Sequence, residues 1–348
     1  TQLVEDDQLW CDCTIDLHDA VLTEIADFQG ATFNRANFQG ATFTNDASFQ
    51  GATFNRASFQ DATFNRANFQ GATFNRAGFQ GATFTNDANF WGATFNRAGF
   101  QDATFNRANF QDATFNRVAG FRGATFNDAD FRDATFTNDA DFRDATFNDA
   151  DFQDTAFTNV AGFWGATFTN DANFQGATFN RADFRGATFN RAGFRGATFN
   201  RAGFWGATFN DANFWGATFN RAGFQDTTFT NDADFRGATF NGAAGFRGAT
   251  FNDADFRGAT FNDAGFQDTT FTNDAYFWGA TFNGAAGFRG ATFTNDADFR
   301  GATFNDANFW GATFNRYASF QDATFNRYAY FRGATFTNDA DFQDATFN

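Results

Sequence analysis

All 62 phenylalanines of this 348-residue chain fall on one lattice from Phe28 to Phe347, advancing by five residues or, at 14 places, by six. A stretch such as Ala36-Asn37-Phe38-Gln39-Gly40-Ala41-Thr42-Phe43 repeats an Ala-x-Phe-x-x unit. Self-similarity this short and this persistent builds a solenoid, and it overrides the two or three globular domains that length alone would suggest. A helix fits poorly, because a five-residue period advances about 500° and walks the Phe around the cylinder. The frequent Gly and Asn also disfavour helix. In an extended chain, residues two apart share a side. The Ala and Phe of each unit therefore point inward, and the last two positions, drawn from Gly, Asp, Asn and Arg, read as a turn.

The units alternate between two kinds. One is Ala-(Asn/Asp/Gly/Ser)-Phe-(Gln/Arg/Trp)-(Gly/Asp), as in Ala57-Ser58-Phe59-Gln60-Asp61; the other is Ala-Thr-Phe-Asn-(Arg/Asp), as in Ala62-Thr63-Phe64-Asn65-Arg66. Together they make 31 modules over residues 26–348. The 14 six-residue steps all follow an Ala-Thr-Phe unit, as at Thr44-Asn45-Asp46 and Arg316-Tyr317. An extra residue tolerated in one phase only behaves as a bulge at particular corners, so the enlarged corners should form two diagonal ridges.

These residues resemble the pentapeptide-repeat family, whose pattern is a small residue, a polar residue, a central Leu or Phe and two polar or turn residues. The resemblance implies an all-β fold, a right-handed quadrilateral β-helix with four units per coil. At 62 units this gives about 15 to 16 coils, and layers of about 4.8 Å make a rod about 75 Å long. Its core ladder is Phe28, Phe33, Phe38 and Phe43 in the first full coil, continuing through Phe174 and Phe179 to Phe342 and Phe347. Thr155, Thr227 and Thr269 depart from the inward Ala. Upstream, Ile15-Asp16-Leu17-His18-Asp19 and Ala20-Val21-Leu22-Thr23-Glu24-Ile25 fit units with Leu17 and Leu22 central. The solenoid is thus expected over residues 15–348, and residues 1–14 form a tail or cap. A short helix over residues 5–13 is the competing reading. The lattice halts at Phe347 without a capping pattern, so either the protein continues beyond Asn348 or an open coil there is expected to meet a partner.

The formal charge is −16, but seven acids and no Arg lie in residues 1–25. The repeat carries 33 acids against 24 Arg, with no Lys at all. Such a mixed surface serves solubility and lacks the basic footprint of direct nucleic-acid binding. Cys11 and Cys13 are too close in sequence for a disulfide framework. No signal peptide or membrane-spanning stretch is visible, which is compatible with a cytoplasmic protein or with one exported after processing.

No catalytic constellation and no cofactor or metal site is expected. His18 is the only histidine, and Cys11, Cys13 and His18 match no strong zinc spacing. Three surface features carry functional readings. Nine acids (Asp128, Asp130, Asp133, Asp139, Asp141, Asp144, Asp149, Asp151 and Asp154) face only Arg132 and Arg143. They form a candidate acidic patch, and the family resemblance attaches to it the reading of a DNA mimic that binds DNA gyrase. Thr precedes Phe in 30 of 31 second-type units. By resemblance to β-solenoid ice-binding surfaces this supports an ice-binding reading, although Thr is also an ordinary strand residue. Six Trp follow core Phe residues and divide between two opposite faces, while Trp310, Tyr317, Tyr328 and Tyr330 cluster near the end as a candidate partner surface. The reading taken forward is a non-enzymatic structural or scaffolding solenoid acting through protein contacts, including end-to-end or lateral self-assembly. A gyrase-binding DNA mimic and an ice-binding protein are the alternatives.

Overall fold

A computed structural model describes residues 14–348. Among them every regular element is a short strand and none is helical. The tail or cap expected over residues 1–14, all but its last residue, and the competing short helix over 5–13, with Cys11 and Cys13, lie outside the described residues. The chain divides into two compact units, Thr1–Gly162 and Phe163–Asn348. Both are β-solenoids of parallel coils around a Phe ladder, about 16 turns between them.

In the first unit, Phe28, Phe33, Phe38 and Phe43 lie one on each of four faces, called here the first to fourth. Phe49, Phe54, Phe59 and Phe64 stack on them one coil later at 5.1, 4.9, 4.8 and 4.7 Å between ring centroids. Neighbouring rings within a coil meet edge to face, as at Phe28–Phe33 (69°) and Phe33–Phe38 (77°). The second unit repeats the arrangement: Phe194, Phe199, Phe204 and Phe209 stack on Phe174, Phe179, Phe184 and Phe189 at 4.8, 4.9, 5.0 and 4.7 Å. Offset stacks along the axis and edge contacts around it are the two arrangements that the ring quadrupole favours. One ring per side therefore fills the square. Phe33, Phe38, Phe43, Phe174 and Phe179 are buried, and so are the Ala columns beside them.

The four corners are of two kinds, although the sequence composition reads as a turn at all of them. After the first and third faces the chain makes a tight turn closed by Ala N donating to Phe O, as in Ala31 to Phe28 and Ala41 to Phe38, both 3.1 Å. The residue before that Ala has positive φ, between 53° and 69°, and it is always Gly or Asp. This is the type II geometry, which demands a residue tolerant of the left-handed region. That demand explains why the fifth position of a first-type unit admits no other residue. After the second and fourth faces the chain stays extended or bends gently, and one strand, Thr42–Ser48, runs through the corner. Here the six-residue steps sit, as register shifts between Phe43 and Asp46 or Phe229 and Asp232. Each unit is accordingly two bent parallel sheets, one over the fourth and first faces and one over the second and third.

At the start of the described chain, Ala20 N donates to Leu17 O at 3.0 Å and Asp19 has φ 53°, so Leu17 occupies the same turn as a core Phe. Val21–Leu22 pairs with Thr42 and Phe43 on the fourth face. Leu17, Leu22 and Phe28 are half-buried, as is Phe342, while Phe347 is 57% exposed. Among the described residues each of these side chains has a neighbouring coil on one side only. Thr155, Thr227 and Thr269 are fully buried, and each hydroxyl donates to a Phe carbonyl of the coil beneath (Phe131, Phe204 and Phe246) at 2.7 to 2.8 Å. A buried hydroxyl is tolerated because it finds that acceptor.

Candidate interaction surface

With Phe and Ala inside, the polar chemistry of the described residues, a few such as the buried Thr155, Thr227 and Thr269 apart, lies on the outer faces and edges, repeated once per coil. The position before each first-type Phe points outward. Where it is Asn or Asp, its Oδ1 accepts the backbone N–H two residues on, as at Asn37 to Gln39 (3.1 Å) and Asp130 to Arg132 (3.0 Å). This Asx geometry holds the start of the tight turn. Where Asp is followed by Phe-Arg, the same carboxylate also takes the guanidinium, as in Asp141–Arg143 (2.6 Å) and Asp298–Arg300 (2.6 Å). Burial pushes the Asp141 carboxyl up, but hydrogen bonds from Arg143 and its charge outweigh burial and hold it below the ordinary value. The hydrogen bond to Asp141, then its charge, hold Arg143 more firmly protonated.

The extended edges carry ladders that residue-by-residue reading of the sequence misses. On the edge between the second and third faces, Asn34, Asn55, Asn75, Asn96 and Asn116 form a chain of amide hydrogen bonds, each Nδ2 donating to the preceding Oδ1 at 2.7 to 2.9 Å. Such ladders need in-register parallel strands, and their signal is the recurrent Asn after Thr-Phe. The next residues, Arg35, Arg56, Arg76, Arg97 and Arg117, stand in a column beside them, all exposed. Next to that column the third face carries Gly78, Gly99 and Gly120, leaving a trough of about 950 Å³. In the second unit Arg181, Arg201 and Arg221 line a smaller trough of about 620 Å³ beside Gly203 and Gly223. The edge between the fourth and first faces differs. There Asp and Arg alternate from Asp46 to Asp128, with Arg66–Asp46 at 3.5 Å and Arg107–Asp87 at 2.9 Å.

The candidate acidic patch divides. Asp128 and Asp149 lie on the edge between the fourth and first faces, and Asp130 and Asp151 beside them on the first face. Asp133 and Asp154 occupy tight turns after that face. Asp139, Asp141 and Asp144 belong to the second and third faces, the other sheet. Arg132 contacts both Asp130 (2.5 Å) and Asp151 (3.8 Å), Arg143 takes Asp141, and Arg122 lies 3.8 Å from Asp144.

The candidate aromatic surface also divides. Tyr328 and Tyr330 stack at 5.8 Å beside the third face, and Trp310 follows Phe309 on that face. Tyr317 sits on the edge between the fourth and first faces, its hydroxyl donating to Asp341 at 3.0 Å. Desolvation and the Asp341 contact raise its phenol pKa. The six Trp are exposed, yet each has a local partner. Arg195 lies 4.2 Å over Trp215 and Arg289 4.6 Å over Trp310, while the Trp91 indole donates to Asp112 at 2.8 Å. Thr residues stack in register on the second and fourth faces, as at Thr83 with Thr63 and Thr104. His18 is exposed, 3.2 Å from Asp19. Among the described residues no group of three or more His, Cys, Asp or Glu is placed to hold a metal ion, and no helix is long and apolar enough to cross a membrane.

No curated protein matches the chain. Among solved structures it is similar to HetL, a pentapeptide repeat protein involved in heterocyst differentiation regulation from the cyanobacterium Nostoc sp. strain PCC 7120. That likeness is 16% identical with a TM-score of 0.18, over 85% of this chain and 92% of that one. It is also similar to QnrB1, a plasmid-mediated fluoroquinolone resistance protein, at 16% identity and a TM-score of 0.15, over 70% of this chain and 91% of that one. At such scores neither neighbour bears on what this chain does. The family described as Pentapeptide repeats (9 copies) matches nine stretches, which together span residues 14–208 and 224–348. With that sequence match over a square Phe-cored solenoid, the chain belongs to the pentapeptide-repeat family.

Proposed function

We propose that this chain is a non-enzymatic scaffold that acts through protein contacts on its outer faces, with copies of itself among the partners. The observation that carries the reading is the separation of roles across the wall of the coil. The interior is Phe and Ala with three buried Thr, and the exterior presents charged and aromatic groups at one-per-coil spacing. Catalysis asks for polar groups converging on a reacting atom, whereas long regular columns suit extended surface recognition. Sedimentation velocity and negative-stain microscopy of the purified chain test it. Species larger than one copy, growing with concentration, support self-assembly; a single copy at every concentration overturns it.

The DNA-mimic alternative draws on the run Asp128, Asp149, Asp130 and Asp151, where acids neighbour acids across strands. It is disfavoured by the placement of Asp139, Asp141 and Asp144 on the opposite sheet and by Arg132 within the run. Inhibition of gyrase supercoiling by the chain at low DNA would restore it. Thermal hysteresis would do the same for ice binding by the Thr columns.

A further inference from the structure

Ten arginines have neither a carboxylate nor an aromatic partner among the described residues, and eight of them stand on the edge between the second and third faces. In the first unit these are Arg35, Arg56, Arg76, Arg97 and Arg117, on five successive coils whose Ala residues pair in register. Like charges one coil apart repel. Over the matching stretch of its other extended edge the same chain prevents this by interleaving Asp46, Arg66, Asp87 and Arg107. A column left unneutralised breaks that local rule, which marks it as a surface awaiting opposite charge.

The second unit holds the complement. On its edge between the fourth and first faces, Asp211, Asp232, Asp253, Asp274 and Asp296 occupy five successive coils, again with the following Ala residues in register. None of the five makes an ion pair with Arg among the described residues. The two columns have the same pitch. The Phe rings behind the Arg column repeat at 4.7 to 4.9 Å, and those behind the Asp column at 4.6 to 5.2 Å. Their relief is complementary as well. Four of the five Arg steps are the shorter kind and border the glycine-lined trough. Three of the five Asp steps carry the extra residue, at Asp232, Asp274 and Asp296, which enlarges the edge into a ridge.

We propose that the arginine column of one copy docks on the aspartate column of a second copy, coil against coil. This rests on the scaffold reading and names its partner. One charge pair per layer sets a register that no flexible polyanion shares, and the net charge of −16 repels nucleic acid over the rest of the surface.

The test uses the full chain and two triple variants, Arg56→Glu with Arg76→Glu and Arg97→Glu, and Asp211→Arg with Asp232→Arg and Asp253→Arg. Circular dichroism and melting check that these surface changes leave each fold intact. The parent should associate at about 0.01 M salt and separate at about 1 M, where the screening length falls to about 3 Å. Each triple variant alone should associate at least about tenfold more weakly, and a mixture of the two should recover association, because the intact Arg column of one variant meets the intact Asp column of the other and the two reversed columns also match. If the variants associate as the parent does, the column pairing is wrong while the scaffold reading stands. If the parent stays single at both salts, both fail. If the Arg variant loses only binding to a single-stranded oligonucleotide, the column serves a polyanion and the proposal is overturned.

Discussion

A single Phe per unit does all the filling, so the cost of losing one depends on how many coils cover it. Phe136 is fully buried between Phe115 and Phe157, at 4.4 and 4.8 Å. Phe136→Ala should cost about 3–5 kcal/mol in denaturant unfolding. Phe347 stacks on Phe325 alone and is 57% exposed, so Phe347→Ala should cost well under half of that in the same measurement. The turn residues obey a stricter rule. Asp61 holds φ 56°, and Asp61→Val should destabilise by about 1–2 kcal/mol, because a β-branched residue fits the left-handed region poorly. Asp61→Gly should leave the melting temperature nearly unchanged. The Gly-or-Asp alternation is visible in the sequence as turn composition. Its restriction to two of the four corners is not, because Asn-Arg and Gln-Gly are equally polar pairs.

The two sheets differ in what stitches their edges. Amide ladders such as Asn55–Asn75–Asn96 bind successive coils on one edge, while on the other, ion pairs between Asp and Arg accompany Asn pairs such as Asn127 with Asn106. Within strands, the Asp-Phe-Arg forks lock a carboxylate between a backbone N–H and a guanidinium. Asp141 has its folded pKa below the unfolded value, so its contribution is complete above about pH 4 and is lost as pH falls through the lower folded value. Asp141→Asn should therefore lower stability at pH 7 and flatten the loss between neutral and acid pH, measured by urea unfolding across that range. A variant that keeps the full acid loss would remove the fork as its cause. The phase of the six-residue steps is legible in the sequence alone, and the register shifts fall where that phase puts them. The ladders are not legible there, because they join residues 20 to 23 apart that only coil stacking makes neighbours.

Over the whole molecule, long-range pairing is almost entirely between adjacent coils, which makes each solenoid unit quasi-one-dimensional. Urea unfolding followed by far-UV circular dichroism should give a slope below that of a two-state protein of 348 residues; one steep transition with the full-length slope would contradict this. Fold class, core composition and the inward column are all readable from the lattice, because a large apolar residue every five positions permits one burial scheme. The surface is much less readable. The acidic run from Asp128 to Asp154 is compact in sequence yet splits between two sheets, and Trp310 and Tyr317 are seven residues apart on different sides of a coil. Conversely, Arg35 and Arg117 are far apart in sequence and share one edge. Periodicity dictates what must be inside, since burial depends on each residue's own chemistry. Which charges become neighbours depends on where each corner falls, and that is set when the coils stack.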